Sequence, residues 1–227
     1  AIYTLIRYQN LLQLAGFETI RERIAALVET DWSGDLHSED PVTDLANACS
    51  VPTSVAGDWI EQLGEQSQLL ARALMERAPV DLRAQTISRD QLAEQLRLAK
   101  IETIPIANTT SGLRVIGRGN IQATSLFKQG KVEIQDASSQ QFIDSLGPLD
   151  GITVWDMCSG AGGKALAMAA KGATVYATDP RRHALQELRR RAKRARLVIH
   201  TSPPLSPVDL VLVDAPCSGS GRLRREP

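Results

Sequence analysis

Four short apolar runs, separated by turns and helices, occupy the last third of the chain and limit what it can fold into. Ile152 to Trp155, Thr174 to Ala177, Leu197 to Ile199 and Leu210 to Val213 each read as a buried strand. Helical stretches at Lys164 to Ala170 and Arg181 to Arg196 lie between the first three. Each helix crosses over and returns the chain to the same end of the sheet, so the strands are expected to pair in parallel. The fold class is therefore α/β, a doubly wound Rossmann-like sheet. Such sheets hold ligands outside the carboxyl ends of their strands, and the residues that follow each run become the ones to read.

The first run is followed by Asp156-Met157-Cys158-Ser159-Gly160-Ala161-Gly162-Gly163-Lys164. Glycine is needed in such a turn where φ is positive or where a ligand must touch the main chain. The stretch Gly160-x-Gly162-x-x-Ala165 also satisfies a dinucleotide pattern, so a nicotinamide cofactor is one reading. Asp179 ends the second run, 23 residues after Asp156, where a carboxylate can accept both hydroxyls of an adenosine ribose. Asp156 helps to separate the readings. A carboxylate inside the turn repels a pyrophosphate but suits S-adenosylmethionine, whose sulfonium and ammonium are positive. Its alternative is a local turn cap.

The fourth run leads into Asp214-Ala215-Pro216-Cys217, then Ser218-Gly219-Ser220-Gly221. A thiolate adding at carbon 6 of cytosine makes the ring an enamine that accepts a methyl group at carbon 5. An acid near ring nitrogen 3 holds the balancing proton. Cys217 and Asp214 are the residue types that chemistry needs. Free cysteine is also a common core residue, but a Pro/Gly/Ser loop is a poor place for one. Cys158 reads better as a packing or backbone contact, and Cys49, in a helical segment, as core. No aromatic follows Ala215-Pro216, which moves the expected target from an exocyclic nitrogen to a ring carbon.

Zero net charge conceals an asymmetry. Residues 151–227 carry 13 Lys and Arg against 6 Asp and Glu, residues 1–78 carry 5 against 12, and residues 79–150 balance at 8 each. A polyanion is drawn to the C-terminal third. The stretch Arg181 to Arg196 holds eight basic residues and one acid, Glu187, and Arg190 and Arg194 are expected phosphate contacts there. The same run also suits a solvated helix face, and the opposite charges of the two ends suit a domain interface. Three cysteines without a CxxC pair, and scattered histidines, favour neither disulfides nor a metal site. No apolar run is long enough to span a bilayer.

Upstream, residues 1–78 read as helical, on Leu5 to Ala15, Ile20 to Val28, a helix opened by Pro52 with Trp59, Ile60 and Leu63, and another with Leu69, Leu70, Ala73 and Leu74. Residues 79–150 mix an alternating edge strand at Val80 to Gln85, a helix at Ser88 to Lys100, short strands at Thr103 to Ile106, Leu113 to Ile116 and Lys131 to Ile134, and a last helix. That helix has capping-box spacing at Ser138 and Gln141 and an apolar face of Phe142, Ile143 and Leu146.

Several of these segments together resemble the RNA 5-methylcytosine methyltransferase family, in its bacterial ribosomal-RNA branch. Ala78 to Arg83 is similar to the opening of that family's small RNA-recognition-like domain, and Gly130 to Gln140 to its lead-in to the catalytic domain. Asp156 to Lys164 and Asp214 to Pro227 resemble its cofactor and Pro-Cys motifs. The resemblance runs from about residue 78 to the end. It implies an S-adenosylmethionine site lined by Cys158, Ser159, Gly160, Ala161, Gly162, Gly163 and Lys164, with Asp179 on the ribose and Asp214 facing both cofactor and base. It also implies that the nucleophile is a second cysteine on a later strand, beyond residue 227, while the Cys217 thiol assists product release. The acid that the family carries after its third strand is replaced here by His200-Thr201.

The expectation is thus a helical domain over 1–78, a small α+β RNA-recognition-like domain over 79–150 and a methyltransferase sheet over 151–227 that continues beyond the last residue. The expected function is S-adenosylmethionine-dependent methylation of cytosine carbon 5 in RNA, ribosomal in preference to transfer RNA, by a cytoplasmic monomer with no metal and no membrane partner. Two rivals stand beside it: an inactive RNA-binding or assembly module of the same fold, and a nicotinamide oxidoreductase.

Overall fold

The structure is a computed structural model that describes residues 38–49, 51–75 and 78–215. The helices expected over Leu5 to Ala15 and Ile20 to Val28, and the residues Pro216 and Cys217, lie outside the described residues. The chain divides into two compact units, with the boundary between Ala78 and Pro79.

In the first unit α1 (Pro41–Cys49), α2 (Thr53–Leu63) and α3 (Gln66–Met75) enclose a small core of Leu45, Ala46, Cys49, Ala56 and Ala71. Asp40 starts α1 by accepting from the Thr43 backbone N–H at 2.9 Å, and Pro41 takes the first helical position, where its missing N–H costs nothing. The apolar face expected of α3 is turned: Leu69 and Ala73 are exposed, while Ser67 and Ala71 are buried. Ser67 tolerates burial because its hydroxyl donates to the Gly64 carbonyl at 2.6 Å.

The second unit opens with β1 (Asp81–Ala84), α4 (Arg89–Leu98), β2 (Thr103–Pro105), β3 (Gly112–Val115), a short α5 (Ser125–Lys128) and β4 (Val132–Ile134). The strands form an antiparallel sheet in the order β2-β3-β1-β4. β1 is therefore interior, and the expectation of an exposed edge fails. Its polar positions are buried because they find partners: Asp81 takes Arg114 at 2.8 and 3.1 Å, and Arg83 Nε donates to Gln135 Oε1 at 2.6 Å. Ser88 and Gln91 form a reciprocal capping box that starts α4.

Next comes α6 (Ala137–Ser145). Asp136 stands at its N-cap in place of Ser138, and its first N–H donates to Asp81 Oδ2 at 3.1 Å. Phe142 is exposed; Gln140 and Ile143 form the buried face. Gln140 Nε2 donates to the carbonyls of Leu82 and Gln135, while Ile143 packs into the core of the following sheet. This one helix therefore ties the antiparallel sheet to the parallel one.

That sheet alternates β5 (Thr153–Asp156), α7 (Gly163–Ala170), β6 (Thr174–Ala177), α8 (Arg182–Ala195), β7 (Ile199–His200) and β8 (Leu210–Leu212). All pairs are parallel, in the order β7-β6-β5-β8. The chain runs outward from β5 through β6 to β7 and then returns to the other side of β5. The resulting crevice, between β5 and β8, is where a sheet of this kind receives its ligand. Asp156 lies level with Ala177 and Leu212. Val154, Val175, Ala177, Leu188 and Met168 are fully buried around these strands.

Candidate active site

Three carboxylates reach the carboxyl edge of the parallel sheet: Asp156 ends β5, Asp179 follows β6 and Asp214 follows β8. Between β5 and α7 the glycine turn runs with Gly160 at φ 54° and Gly162 at φ 85°. Gly162 has a second reason to lack a side chain. A Cβ there would come within 2.6 Å of Leu188 Cγ, so the turn and α8 approach as closely as a glycine permits.

Asp179 carries four bonds. Its Oδ2 accepts from the Gly160 N–H at 2.8 Å and from Arg181 Nη2 at 3.0 Å; its Oδ1 accepts from the Arg181 N–H and Nε, both at 2.9 Å. The side chain is only 2% exposed, and the Arg181 guanidinium beside it holds the carboxyl well below the usual range. The Asp–Pro–Arg order of residues 179–181 is a local turn signal that was open to reading. Asp214, more than half exposed, pairs with Lys164 Nζ at the start of α7. Cys158 is partly exposed in the turn, and the buried Ser159 hydroxyl has no partner among the described residues. Cys217 falls outside the described residues.

Residues 143–227 match the family described as 16S rRNA methyltransferase RsmB/F. Over these residues the chain is similar to that family. It is 30% identical over 207 residues to a probable ribosomal RNA small subunit methyltransferase B of Bacillus subtilis, covering 83% of the chain and 46% of that relative. A probable ribosomal RNA small subunit methyltransferase B of Synechocystis is 31% identical over 193 residues, which is 75% of the chain and 43% of the relative. The chain spans about half the length of the curated relatives it matches. A solved methyltransferase homolog protein from Pyrococcus horikoshii superposes with a TM-score of 0.71 at 26% identity, over 83% of the chain and 67% of that protein. NSun6 from the same organism, solved with SFG, gives a TM-score of 0.66 at 14% identity over 73% of the chain and 71% of its own, a likeness of fold.

Within the parallel sheet Asp156 is the unusual group. It is 1% exposed, and neither carboxylate oxygen makes a full hydrogen bond among the described residues, although the Cys158 backbone N–H acts on it weakly. Burial pushes it up to about 7 from 3.8, opposed by Lys164 and assisted by Asp214 and Asp179. Folded Asp156 therefore keeps its proton to about pH 7, whereas the unfolded chain releases it near 3.8. The folded state binds more protons, so this group's contribution to stability falls as pH rises through that window and is level above it. Asp179 has the opposite sign, and its contribution is lost only in acid below about pH 4. Between pH 5 and 8, urea unfolding should show wild-type stability falling by on the order of 2 kcal/mol more than that of Asp156→Asn. Parallel pH profiles would show that Asp156 titrates normally.

The basic helix α8 divides into two faces. Arg182, Arg189, Lys193 and Arg196 recur at helical spacing and are exposed. Arg194, expected on phosphate, is instead an inward residue: it pairs with Glu133 and lies 4.0 Å over the Phe127 ring. Arg190 pairs with Glu187 on the surface. His200, the last residue of β7, stacks on Tyr176 at 4.8 Å, and Thr201 accepts from Arg189 at 2.9 and 2.7 Å. Strand β7 starts later than the apolar run suggests because Val198 is 75% exposed.

Proposed function

We propose that the protein carrying this chain methylates carbon 5 of cytosine in RNA, ribosomal in preference to transfer RNA, with S-adenosylmethionine as donor. The observation that carries the reading is the buried Asp156, without a full hydrogen bond among the described residues, at the end of β5 before the glycine turn and within the field of Lys164 and Asp214 at the sheet's switch point. A phosphate-bearing dinucleotide would bring further negative charge beside an acid that burial already keeps from ionising, whereas a cationic ligand favours its carboxylate form. The RsmB/F match supports the same donor and substrate class.

In this reading Gly160, Ala161, Gly162 and Gly163 let the ligand approach the main chain, Asp179 accepts the ribose hydroxyls, and Cys158, Ser159 and Lys164 line the remainder of the turn. Bound there, S-adenosylmethionine supplies a methyl group activated by its sulfonium. Asp214 holds the proton near ring nitrogen 3 of the base, and Lys164 keeps it placed. A cysteine thiolate adds to carbon 6, which makes carbon 5 nucleophilic; loss of the carbon 5 proton then expels the thiolate and restores the ring. The attacking thiol belongs to a second cysteine beyond residue 227, and Cys217 assists that release. Residues 79–150 serve as the RNA-recognition-like part beside the methyltransferase sheet, with the acidic helical part from 1–78 ahead of it. The protein works as a cytoplasmic monomer; no helix among the described residues is long and apolar enough to cross a membrane.

Labelled methyl transfer tests the reading. Label should enter cytosine carbon 5 in a ribosomal RNA transcript, and reversing Arg182 and Lys193 to Glu should weaken RNA binding and reduce its salt slope by about 2. Label on any other atom, or NADH binding in place of the methyl donor, would overturn it.

A further inference from the structure

Glu133 on β4 lies 2% exposed and is shared by two arginines of α8. Its Oε2 accepts from Arg191 Nη2 at 2.8 Å and Nε at 3.2 Å, and its Oε1 accepts from Arg194 Nη2. The remaining terminal nitrogen of Arg191, Nη1, donates to the Ala161 carbonyl at 2.7 Å. Ala161 sits between Gly160 and Gly162, the two positive-φ residues of the glycine turn. The N–H at the other end of the same peptide plane, that of Gly162, donates to the Ser159 carbonyl at 2.9 Å. A peptide whose following residue is a glycine in the left-handed region flips more freely than one followed by a residue with a side chain. Here both its ends are held.

We propose that Glu133 is a positioning residue for the cofactor turn, acting through Arg191. The inference rests on the reading above that this turn holds S-adenosylmethionine. Glu133 stands on a sheet strand, and a guanidinium gripped on its Nε and Nη2 side presents Nη1 in one fixed direction. The two arginines divide the work. Arg194 docks α8 against the antiparallel sheet: it covers Phe127, and a Cβ on Gly130 would come within 2.4 Å of the Arg194 carbonyl. Arg191 alone of the pair reaches the turn. The placement of the cofactor's backbone cradle is thereby set by a residue of the small antiparallel sheet, outside the parallel sheet that carries the other site residues.

Arg194 supplies the control, since it shares Glu133 but touches no turn atom. Arg191→Lys, Arg194→Lys and Glu133→Gln are compared with wild type by S-adenosylhomocysteine calorimetry, urea unfolding and hydrogen exchange of the 157–165 segment. Arg191→Lys and Glu133→Gln should weaken binding by about tenfold and speed exchange across the turn. Arg194→Lys should lower the unfolding midpoint while leaving affinity and turn exchange near wild type. Equal losses in both arginine variants, or an unchanged Arg191→Lys, would overturn the assignment and make the triad a docking contact alone. Wild-type protein that binds no S-adenosylhomocysteine would sink the proposed function, whereas the exchange comparison, which needs no ligand, still decides whether Glu133 and Arg191 hold the turn.

Discussion

Replacing Asp179 by alanine is expected to weaken S-adenosylhomocysteine binding by about 100-fold or more. Two ribose hydroxyls donating to a buried carboxylate make charge-assisted bonds, each worth about 1.5–3 kcal/mol. In the structure all four acceptor directions of Asp179 are taken, one by Gly160 and three by Arg181. The hydroxyls must therefore displace part of the Arg181 grip, and Arg181 is able to leave because its side chain is 57% exposed. Removing Asp179 also frees the Gly160 N–H, so lost affinity in that variant alone has two causes. Arg181→Ala separates them. It keeps the Gly160 and backbone 181 bonds and the carboxylate but removes the two competing guanidinium donors, and affinity should hold or rise. Wild-type affinity in Asp179→Ala would remove this residue from the site.

The parallel sheet and its glycine turn were legible because both are local. Each strand of that sheet is a short apolar run, and crossover helices leave few orders in which such runs can pair. The placing of Asp156, Asp179 and Asp214 at one edge follows from that, whereas the order β7-β6-β5-β8 came from the structure. The antiparallel sheet was less open to reading. Asp81 and Arg83 alternate with apolar neighbours as in a half-exposed strand, yet their partners, Arg114 and Gln135, lie 33 and 52 residues away. No spacing rule shows a buried polar pair of that kind. Glu133 and Arg191, 58 residues apart, escaped for the same reason, as did the inward turn of Arg194. At the start of α6, Ser138 has capping-box spacing to Gln141, yet the N-cap is Asp136 and the first N–H of the helix finds Asp81 across the fold. Exposed Phe142 shows the same limit: helical period marks a stripe, and tertiary packing chooses its centre.

In the full-length protein, Cys217→Ala should accumulate a covalent protein–RNA adduct instead of losing it. Addition of a thiolate to carbon 6 and its later expulsion are separate steps, and different groups can serve them. Asp214 follows β8 and Val213 at the edge of the crevice proposed to hold the base, and Cys217 is three residues further along the sequence. If the attacking thiol is supplied from beyond residue 227, removal of the Cys217 sulfur leaves attack and methyl transfer intact. The step left impaired is the expulsion, and the methylated base stays bound. Denaturing gels of the Cys217→Ala protein with a substrate transcript should then show a retarded band, while turnover falls by on the order of 10² to 10⁴, the scale of a lost proton-transfer group. The opposite chemistry gives the opposite gel. Were Cys217 the attacking thiol, its alanine variant would form no adduct even with RNA carrying 5-fluorocytidine, where the wild-type adduct cannot be released. A second substitution at the downstream cysteine resolves what remains: it should abolish the Cys217→Ala band, because no thiol is left to reach carbon 6.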